Sequence, residues 1–154
     1  YEIFYTTMKK NPGHDPILNK ILEINENALA IEIPIWTTTY QSIKKKKLKK
    51  SKYTCFCDEI VTGHIDLLIY DELDSSLVVC DYKPENKFLR SLAQVAFYGL
   101  VLKKMLKYPK VKCVSFSREK AWVYDPEIIR TQIPKYIKKN GDPYLCWQDF
   151  IDSL

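Results

Sequence analysis

The feature that most constrains this chain is a β-hairpin followed at once by a long helix. Two apolar segments, residues 61–70 and 77–83, flank a polar turn at residues 71–76, which predicts a pair of antiparallel strands. Pro84 ends the second strand. Apolar residues at helical spacing then predict an amphipathic helix over residues 87–107, which must pack against the sheet.

The residues before this hairpin predict one more helix and one more strand. From His14 onward, apolar residues recur at helical spacing as far as Leu29. Residues 30–38 then alternate as a strand, and Pro34 within it indicates an edge position or a bulge. The alternation places three apolar residues on one face of this strand: Ile31, Ile33 and Ile35.

Two short strands, at residues 111–117 and 121–124, are predicted after the long helix, and Pro126 begins a last helical region. The order of helix, three strands, helix and further strands is typical of an α/β protein with helices on both faces of a mixed sheet. A length of 154 residues suits one domain with a sizeable core, so residues 1–154 are predicted to form a single domain.

Polar residues in the hairpin strands are placed to form a site. Residues two apart on a strand share a face, so Asp81 and Lys83 are expected to project together, while Cys80 and Tyr82 point the other way. Asp66 lies on the neighbouring strand and joins them if the hairpin register allows. Two carboxylates and a backbone carbonyl, for which Tyr82 is the candidate, make a hard oxygen site that suits Mg²⁺ or Mn²⁺.

This set of residues indicates phosphodiester hydrolysis. A divalent metal can lower the pKa of a bound water and offset the charge that develops on a phosphate. Lys83 beside it can orient the water or stabilise the developing negative charge. An Asp-x-Lys pair alone is a weak signal, because such pairs are common on strands as surface ion pairs. The order and separation of the motifs carry the prediction.

Gln94 and Tyr98 add a polar face to the predicted helix. They are four residues apart and therefore neighbours on one side of it, and Arg90 lies one turn earlier. The three would form a polar stripe beside the cleft, with the catalytic acids or a nucleic-acid backbone as partners. The alternative is that Tyr98 is a core aromatic residue and Gln94 a surface residue.

Together these motifs resemble the PD-(D/E)xK superfamily of restriction-endonuclease-like nucleases. Within it, they are most similar to the RecB-type branch, which includes the CRISPR-adaptation nucleases and archaeal viral relatives. The residues that carry the resemblance lie between positions 13 and 98: Gly13-His14, Glu32, Gly63-His64-Ile65-Asp66, Asp81-Tyr82-Lys83, Gln94 and Tyr98.

The resemblance implies a restriction-endonuclease-like core, with a central mixed β-sheet flanked by helices, and metal-dependent cleavage of DNA. It implies that His14 is a metal ligand beside Asp66 and Asp81, and that Gln94 and Tyr98 belong to the catalytic site. His64 shares a strand face with Asp66 and is the competing histidine ligand; otherwise it contacts substrate or packs.

The cysteines depart from one part of this family pattern. CRISPR-associated relatives hold an iron–sulfur cluster with four cysteines near the termini, whereas the five cysteines here have no CxxC spacing: Cys55, Cys57, Cys80, Cys113 and Cys146. We therefore expect no iron–sulfur cluster, and instead buried, reduced thiols.

A run of lysines is the most basic segment of the chain. Seven lie within nine residues: Lys44, Lys45, Lys46, Lys47, Lys49, Lys50 and Lys52. The net charge is +5, so without these seven the rest of the chain carries −2. The run predicts contacts with nucleic-acid phosphates, to which Arg90 would add. The alternative is a solvated connection between strands.

The expected partner is DNA, single- or double-stranded. No apolar run approaches a membrane span and no signal peptide opens the sequence, so we expect a cytoplasmic protein without a membrane partner. Endonuclease or exonuclease action, and monomer or homodimer, stay open. The second hypothesis is a catalytically inactive nucleic-acid-binding module of the same fold, against which the intact acid, acid and lysine set argues. A third is an adaptor protein whose motif match is accidental.

Overall fold

The computed structural model describes residues 13–38, 60–84, 91–132, 135, 151, 152 and 154. Within these ranges two helices and five strands follow one another, and residues 128–132 are also helical. In chain order the elements are α1 (His14–Ile24), β1 (Ala28–Thr38), β2 (Ile60–Asp71), β3 (Ser76–Tyr82), α2 (Leu92–Leu106), β4 (Val111–Phe116) and β5 (Ala121–Tyr124). The predicted α/β class and order of elements are confirmed.

The five strands form one mixed sheet in the order β1-β2-β3-β4-β5. Neighbouring strands are antiparallel except β3 and β4, which are parallel and are connected through α2. Parallel neighbours require such a crossover, whereas the antiparallel β2–β3 pair needs only the tight turn at residues 72–75. The predicted hairpin is therefore confirmed, with a register that runs from Leu67–Cys80 to Asp71–Ser76.

Among the described residues, one long helix packs against each face of the sheet. The α2 face carries a cluster of buried residues from α2 and from four strands, β1 to β4: Ile35, Ile65, Leu68, Leu77, Val79, Val95, Tyr98, Val101, Leu102, Val111 and Cys113. The α1 face carries a second cluster: Ile17, Leu18, Ile21, Leu67, Val78, Cys80 and Tyr82. The structure is thus a mixed sheet between helices, as the sequence pattern predicts.

The first helix is shorter than the apolar spacing predicts. It ends at Ile24, because Asn25 leaves the helical conformation and its Oδ1 accepts a hydrogen bond from the backbone N–H of Asn27 at 3.0 Å. Such an Asx turn competes with helix continuation. Leu29 therefore lies in β1, which starts at Ala28 instead of residue 30, and its side chain is 52% exposed.

The predicted alternation of β1 is wrong at one point. Ile31 packs on the α1 face, whereas Ile33 and Ile35 pack on the α2 face. The switch occurs at Glu32, whose φ of 51° is outside the range of a regular strand. Among the described strands β1 pairs only with β2, so Pro34 occupies an edge strand, as predicted.

None of the helices within the described ranges combines the length and the apolar character that a bilayer span requires.

Candidate active site

Asp81 and Lys83 meet at the end of β3. Lys83 Nζ lies 2.7 Å from Asp81 Oδ1, and the Asp81 residue is only 6% exposed. Cys80 and Tyr82 point to the opposite face, where both belong to the α1-face cluster. The predicted alternation is confirmed here, and the pair is a charge-assisted bond that is shielded from water on the side of the acid.

Asp66 lies on β2, next to the same end of β3. The hairpin register ends at the Leu67–Cys80 pair, and Asp66 and Asp81 are the next residue beyond it on each strand. The Asp66 side chain does not point into solvent; its Oδ2 accepts a hydrogen bond from the backbone N–H of Tyr82 at 3.2 Å. The carboxylate thus ties β2 to β3 where the backbone pairing of the hairpin stops.

The environment raises the pKa of the Asp66 carboxyl above its ordinary value. Burial is the largest cause, and the negative charge of Asp81 is the second. The Tyr82 N–H and the charges of His14 and Lys83 act in the opposite direction but do not cancel these two effects. Two acids held near each other in a partly buried position form an electrostatically unfavourable pair that a cation would relieve.

His14 reaches this site from the first turn of α1. Its Nδ1 lies 3.3 Å from Asp66 Oδ2, and its ring packs edge-on against the ring of Tyr82 with centroids 5.5 Å apart. Tyr82 is buried and in turn packs against Phe116. The helix carries His14 to the acid because Ile17 and Leu18, on the same face, are buried against the sheet.

Ser91 is a member of the site that the sequence pattern missed. Its Oγ donates a hydrogen bond to Asp81 Oδ2 at 2.9 Å, and the residue is 3% exposed. The predicted helix begins at residue 87, which places Ser91 in its interior, whereas the described helix begins at Leu92. The preference of serine for the position before a helix is the signal that could have identified it.

Gln94 and Tyr98 share one side of α2, as predicted. Gln94 Nε2 donates a hydrogen bond to the Tyr98 hydroxyl at 2.7 Å. The Tyr98 ring is buried in the α2-face cluster and Gln94 is exposed. This agrees with the alternative interpretation, in which Tyr98 is a core aromatic residue and Gln94 a surface residue. The hydroxyl end of Tyr98 nevertheless reaches β2, where a side chain on Gly63 would overlap it.

The other predicted residues are exposed or fall outside the described ranges. Glu32 is exposed on β1, opposite Asp66 between the pairs Ile31–Leu67 and Ile33–Ile65, and His64 is exposed on β2. The seven lysines from Lys44 to Lys52 and Arg90 fall outside the described residues, as do Cys55, Cys57 and Cys146.

The two remaining cysteines, Cys80 and Cys113, are free and buried, in agreement with the prediction for them. Burial raises the pKa of the Cys80 thiol to about 12, so it is a poor nucleophile and a poor metal ligand at neutral pH.

The structure therefore brings together five of the predicted site residues, from the start of α1, from β2 and from the end of β3: His14, Asp66, Asp81, Tyr82 and Lys83. In the part of the chain that the structure describes, no three His, Cys, Asp or Glu side chains are already arranged as metal ligands. Both oxygens of Asp81 are engaged by protein groups, Lys83 and Ser91.

Comparison with protein-family models and with curated proteins gave no match to this chain. The resemblance to a nuclease family thus rests on the motif residues and their arrangement.

Proposed function

We propose that this chain is a divalent-metal-dependent nuclease with a restriction-endonuclease-like core, which hydrolyses phosphodiester bonds of DNA. One observation carries the proposal: two partly buried acids on adjacent strands, Asp66 and Asp81, lie beside a lysine and a histidine. Lys83 Nζ is 2.7 Å from Asp81, and His14 Nδ1 is 3.3 Å from Asp66. Metal-assisted attack on a phosphate uses groups of these kinds, carboxylates to hold the metal and a cation to offset the developing negative charge.

The donor chemistry of these residues fits Mg²⁺ or Mn²⁺. Asp66 and Asp81 offer hard carboxylate oxygens. The raised pKa of Asp66 reflects first its burial and then repulsion by Asp81, and a divalent cation would offset both. The residues that would hold the ion are Asp66, Asp81, His14 and the backbone carbonyl of Tyr82. A bound ion would supply the positive charge that activates a water and stabilises the negative charge on the phosphate.

Lys83 has a separate task in this proposal. Its ammonium is held by Asp81, yet its side chain is 27% exposed and so can reach a phosphate. A compact cation held in place is suited to stabilise charge that develops on a phosphoryl oxygen. Asp81 thus has two roles, as a metal ligand and as the group that orients Lys83.

Substrate contacts are proposed for the surface around the acids. The exposed Gln94, held by Tyr98, is available to a DNA strand at the side of α2. The lysine run at residues 44–52 and Arg90 would bind phosphates and add a salt-dependent, sequence-independent part of the affinity.

One observation favours the second candidate, a nucleic-acid-binding module that no longer cuts. Asp81 Oδ1 is bonded to Lys83 and Asp81 Oδ2 to Ser91, so a metal would have to share an acid whose two oxygens already have partners. Each carboxylate oxygen has two lone pairs, so this sharing is feasible.

Cleavage of labelled DNA separates the two candidates. The substrates are single- and double-stranded DNA, each as circles and as linear molecules, with Mg²⁺, Mn²⁺ or EDTA, and the native chain is compared with Asp81→Ala. We expect metal-dependent cleavage that Asp81→Ala abolishes, and cutting of circles would define an endonuclease. Binding of DNA without cleavage, equal in the two proteins, would support the binding module instead.

A further inference from the structure

We propose that Ser91 is a positioning residue that fixes the orientation of the Asp81 carboxylate and thereby strengthens divalent-metal binding at the site. This inference rests on the proposed function, since it assigns Ser91 a role toward the same metal. Ser91 does not contact the metal in this proposal and acts only through Asp81.

The first argument is the pair of bonds that brackets Asp81. Lys83 Nζ holds Oδ1 at 2.7 Å, and the Ser91 hydroxyl donates to Oδ2 at 2.9 Å. With one donor on each oxygen, rotation of the carboxylate about its Cβ–Cγ bond breaks at least one of the two bonds. A buried acid with fixed orientation presents its remaining lone pairs in constant directions, which lowers the entropic cost of binding an ion.

The second argument is that the Ser91 hydroxyl does not serve its own helix. Ser91 immediately precedes Leu92, the position at which a serine side chain usually accepts a hydrogen bond from a backbone N–H of the first helical turn. No such side-chain bond is made to α2. The backbone of Ser91 has φ −99° and ψ −13°, outside the extended conformation that is usual for a capping residue, and its hydroxyl bonds to Asp81.

The third argument is that α2 contacts both of the strands that carry the acids. Ser91 bonds to Asp81 on β3, and Tyr98, two turns later, packs against Gly63 on β2, three residues before Asp66. The helix therefore contacts both strands close to their acids. Ser91 is the contact that reaches an acid directly, so its loss changes the site more than the loss of a contact elsewhere on α2.

The test is calorimetric titration of the purified chain with Mn²⁺, which does not depend on cleavage. The proteins are the native chain, Ser91→Ala, Ser91→Thr and Asp81→Ala. Loss of a hydrogen bond to a ligating carboxylate typically weakens metal binding by about 10- to 100-fold, and we expect a change of this size for Ser91→Ala. Ser91→Thr keeps the hydroxyl, so its affinity should stay close to that of the native chain.

A matched control distinguishes this role from a general effect of removing a buried hydroxyl. Ser117 is 6% exposed and its Oγ accepts bonds from the backbone N–H groups of Glu119 and Lys120, at the turn between β4 and β5. Ser117→Ala should therefore lower thermal stability without changing Mn²⁺ affinity. Ser91→Gly is a second variant without the hydroxyl, and glycine is well tolerated before a helix.

Cleavage provides a second readout. If Ser91 only supports the fold, Ser91→Ala lowers the cleavage rate at every Mn²⁺ concentration. If Ser91 positions Asp81, the Mn²⁺ concentration needed for half-maximal cleavage rises, and the cleavage rate recovers at high Mn²⁺. Native binding that Asp81→Ala abolishes but that Ser91→Ala and Ser91→Gly retain would overturn this inference and leave the proposed function intact. A native chain that binds no Mn²⁺ would overturn both.

Discussion

The ring of Tyr98 on α2 lies directly against the α-carbon of Gly63 on β2. A Cβ at position 63 would lie 2.6 Å from Tyr98 Cε1, a separation that real Cβ atoms essentially never show. Gln94 holds the hydroxyl of the same tyrosine at 2.7 Å. The absence of a side chain at position 63 therefore sets how closely the helix approaches the strand that carries Asp66.

Gly63→Ala should destabilise the fold through this contact. Forcing a methyl group into a packed position typically costs about 1–3 kcal/mol, and urea unfolding would measure it. The effect of Gly63→Ala should be much smaller in a Tyr98→Ala background, because the ring that it meets is then absent. Equal losses with and without the Tyr98 ring would contradict this explanation.

Asp66→Asn should stabilise the protein at neutral pH while abolishing the proposed cleavage. The pKa of Asp66 in the folded state is raised above its ordinary value of 3.8. At a pH between the ordinary and the raised pKa, the native state therefore binds more protons than the unfolded state. The contribution of Asp66 to stability is thus full below pH 3.8 and is lost as the pH rises through the folded pKa. An asparagine can still accept the Tyr82 N–H bond and carries no buried charge.

Thermal unfolding in EDTA measures this effect as a function of pH. The gain from Asp66→Asn should be largest at pH 7 and should disappear as the pH falls below the ordinary aspartate value. Asp74→Asn is a control in which the change of stability with pH should have the opposite sign. Hydrogen bonding to Lys112 lowers the pKa of Asp74, so the stability that Asp74 adds is lost on acidification. A loss of stability in Asp66→Asn at pH 7 would show that its hydrogen bonds outweigh the burial of its charge.

Lys83→Gln should lower the rate of metal-dependent cleavage by about 10²- to 10³-fold, the usual effect of removing one group that stabilises transition-state charge. Lys83→Arg keeps the positive charge but not the compact ammonium, so an intermediate rate is expected. Single-turnover cleavage at saturating Mn²⁺ measures both. Lys112→Gln is the control and should cleave normally. It removes a lysine that is paired with Asp71 and Asp74 at the other end of the hairpin. A Lys83→Gln protein that cleaves like the native chain would exclude Lys83 from the reaction.

The lysine run should account for much of the salt dependence of DNA binding. For duplex DNA, each phosphate that a lysine neutralises adds about 0.9 to the magnitude of the slope of log binding constant against log salt concentration. Replacing Lys45, Lys46 and Lys47 by glutamine should therefore lower the magnitude of that slope by as much as about 2.7. Fluorescence anisotropy over a range of salt concentrations gives the slope. Replacing three described lysines, Lys104, Lys107 and Lys110, is the control with equal charge loss. Equal slopes for the two triple variants would support a solvated connection instead of a phosphate contact.

Several parts of the site follow from local sequence rules. The two-residue period of a strand is enough to place Asp81 and Lys83 on one side, and their 2.7 Å contact agrees with it. The four-residue spacing on a helix likewise predicts the Gln94–Tyr98 pair. These rules hold because β3 and α2 are regular at those positions.

Local rules fail where the backbone departs from regular geometry and where a helix boundary has to be located. The φ of 51° at Glu32 moves Ile31 and Ile33 to opposite faces, which no alternating pattern predicts. The helix after Pro84 is predicted to begin at residue 87, so the role of Ser91 is hidden by a boundary that sequence patterns locate poorly.

The sequence by itself determined the α/β class, the hairpin, and the residues that share a face within one element, because these depend on periodicity and on turn residues a few positions apart. Only the tertiary structure decided that His14 meets Asp66, that Ser91 meets Asp81, and that Tyr98 lies on Gly63. Those contacts join residues 10 to 52 positions apart in the chain. They depend on strand register and on the packing of α1 and α2 against opposite faces of the sheet, which no short-range pattern specifies.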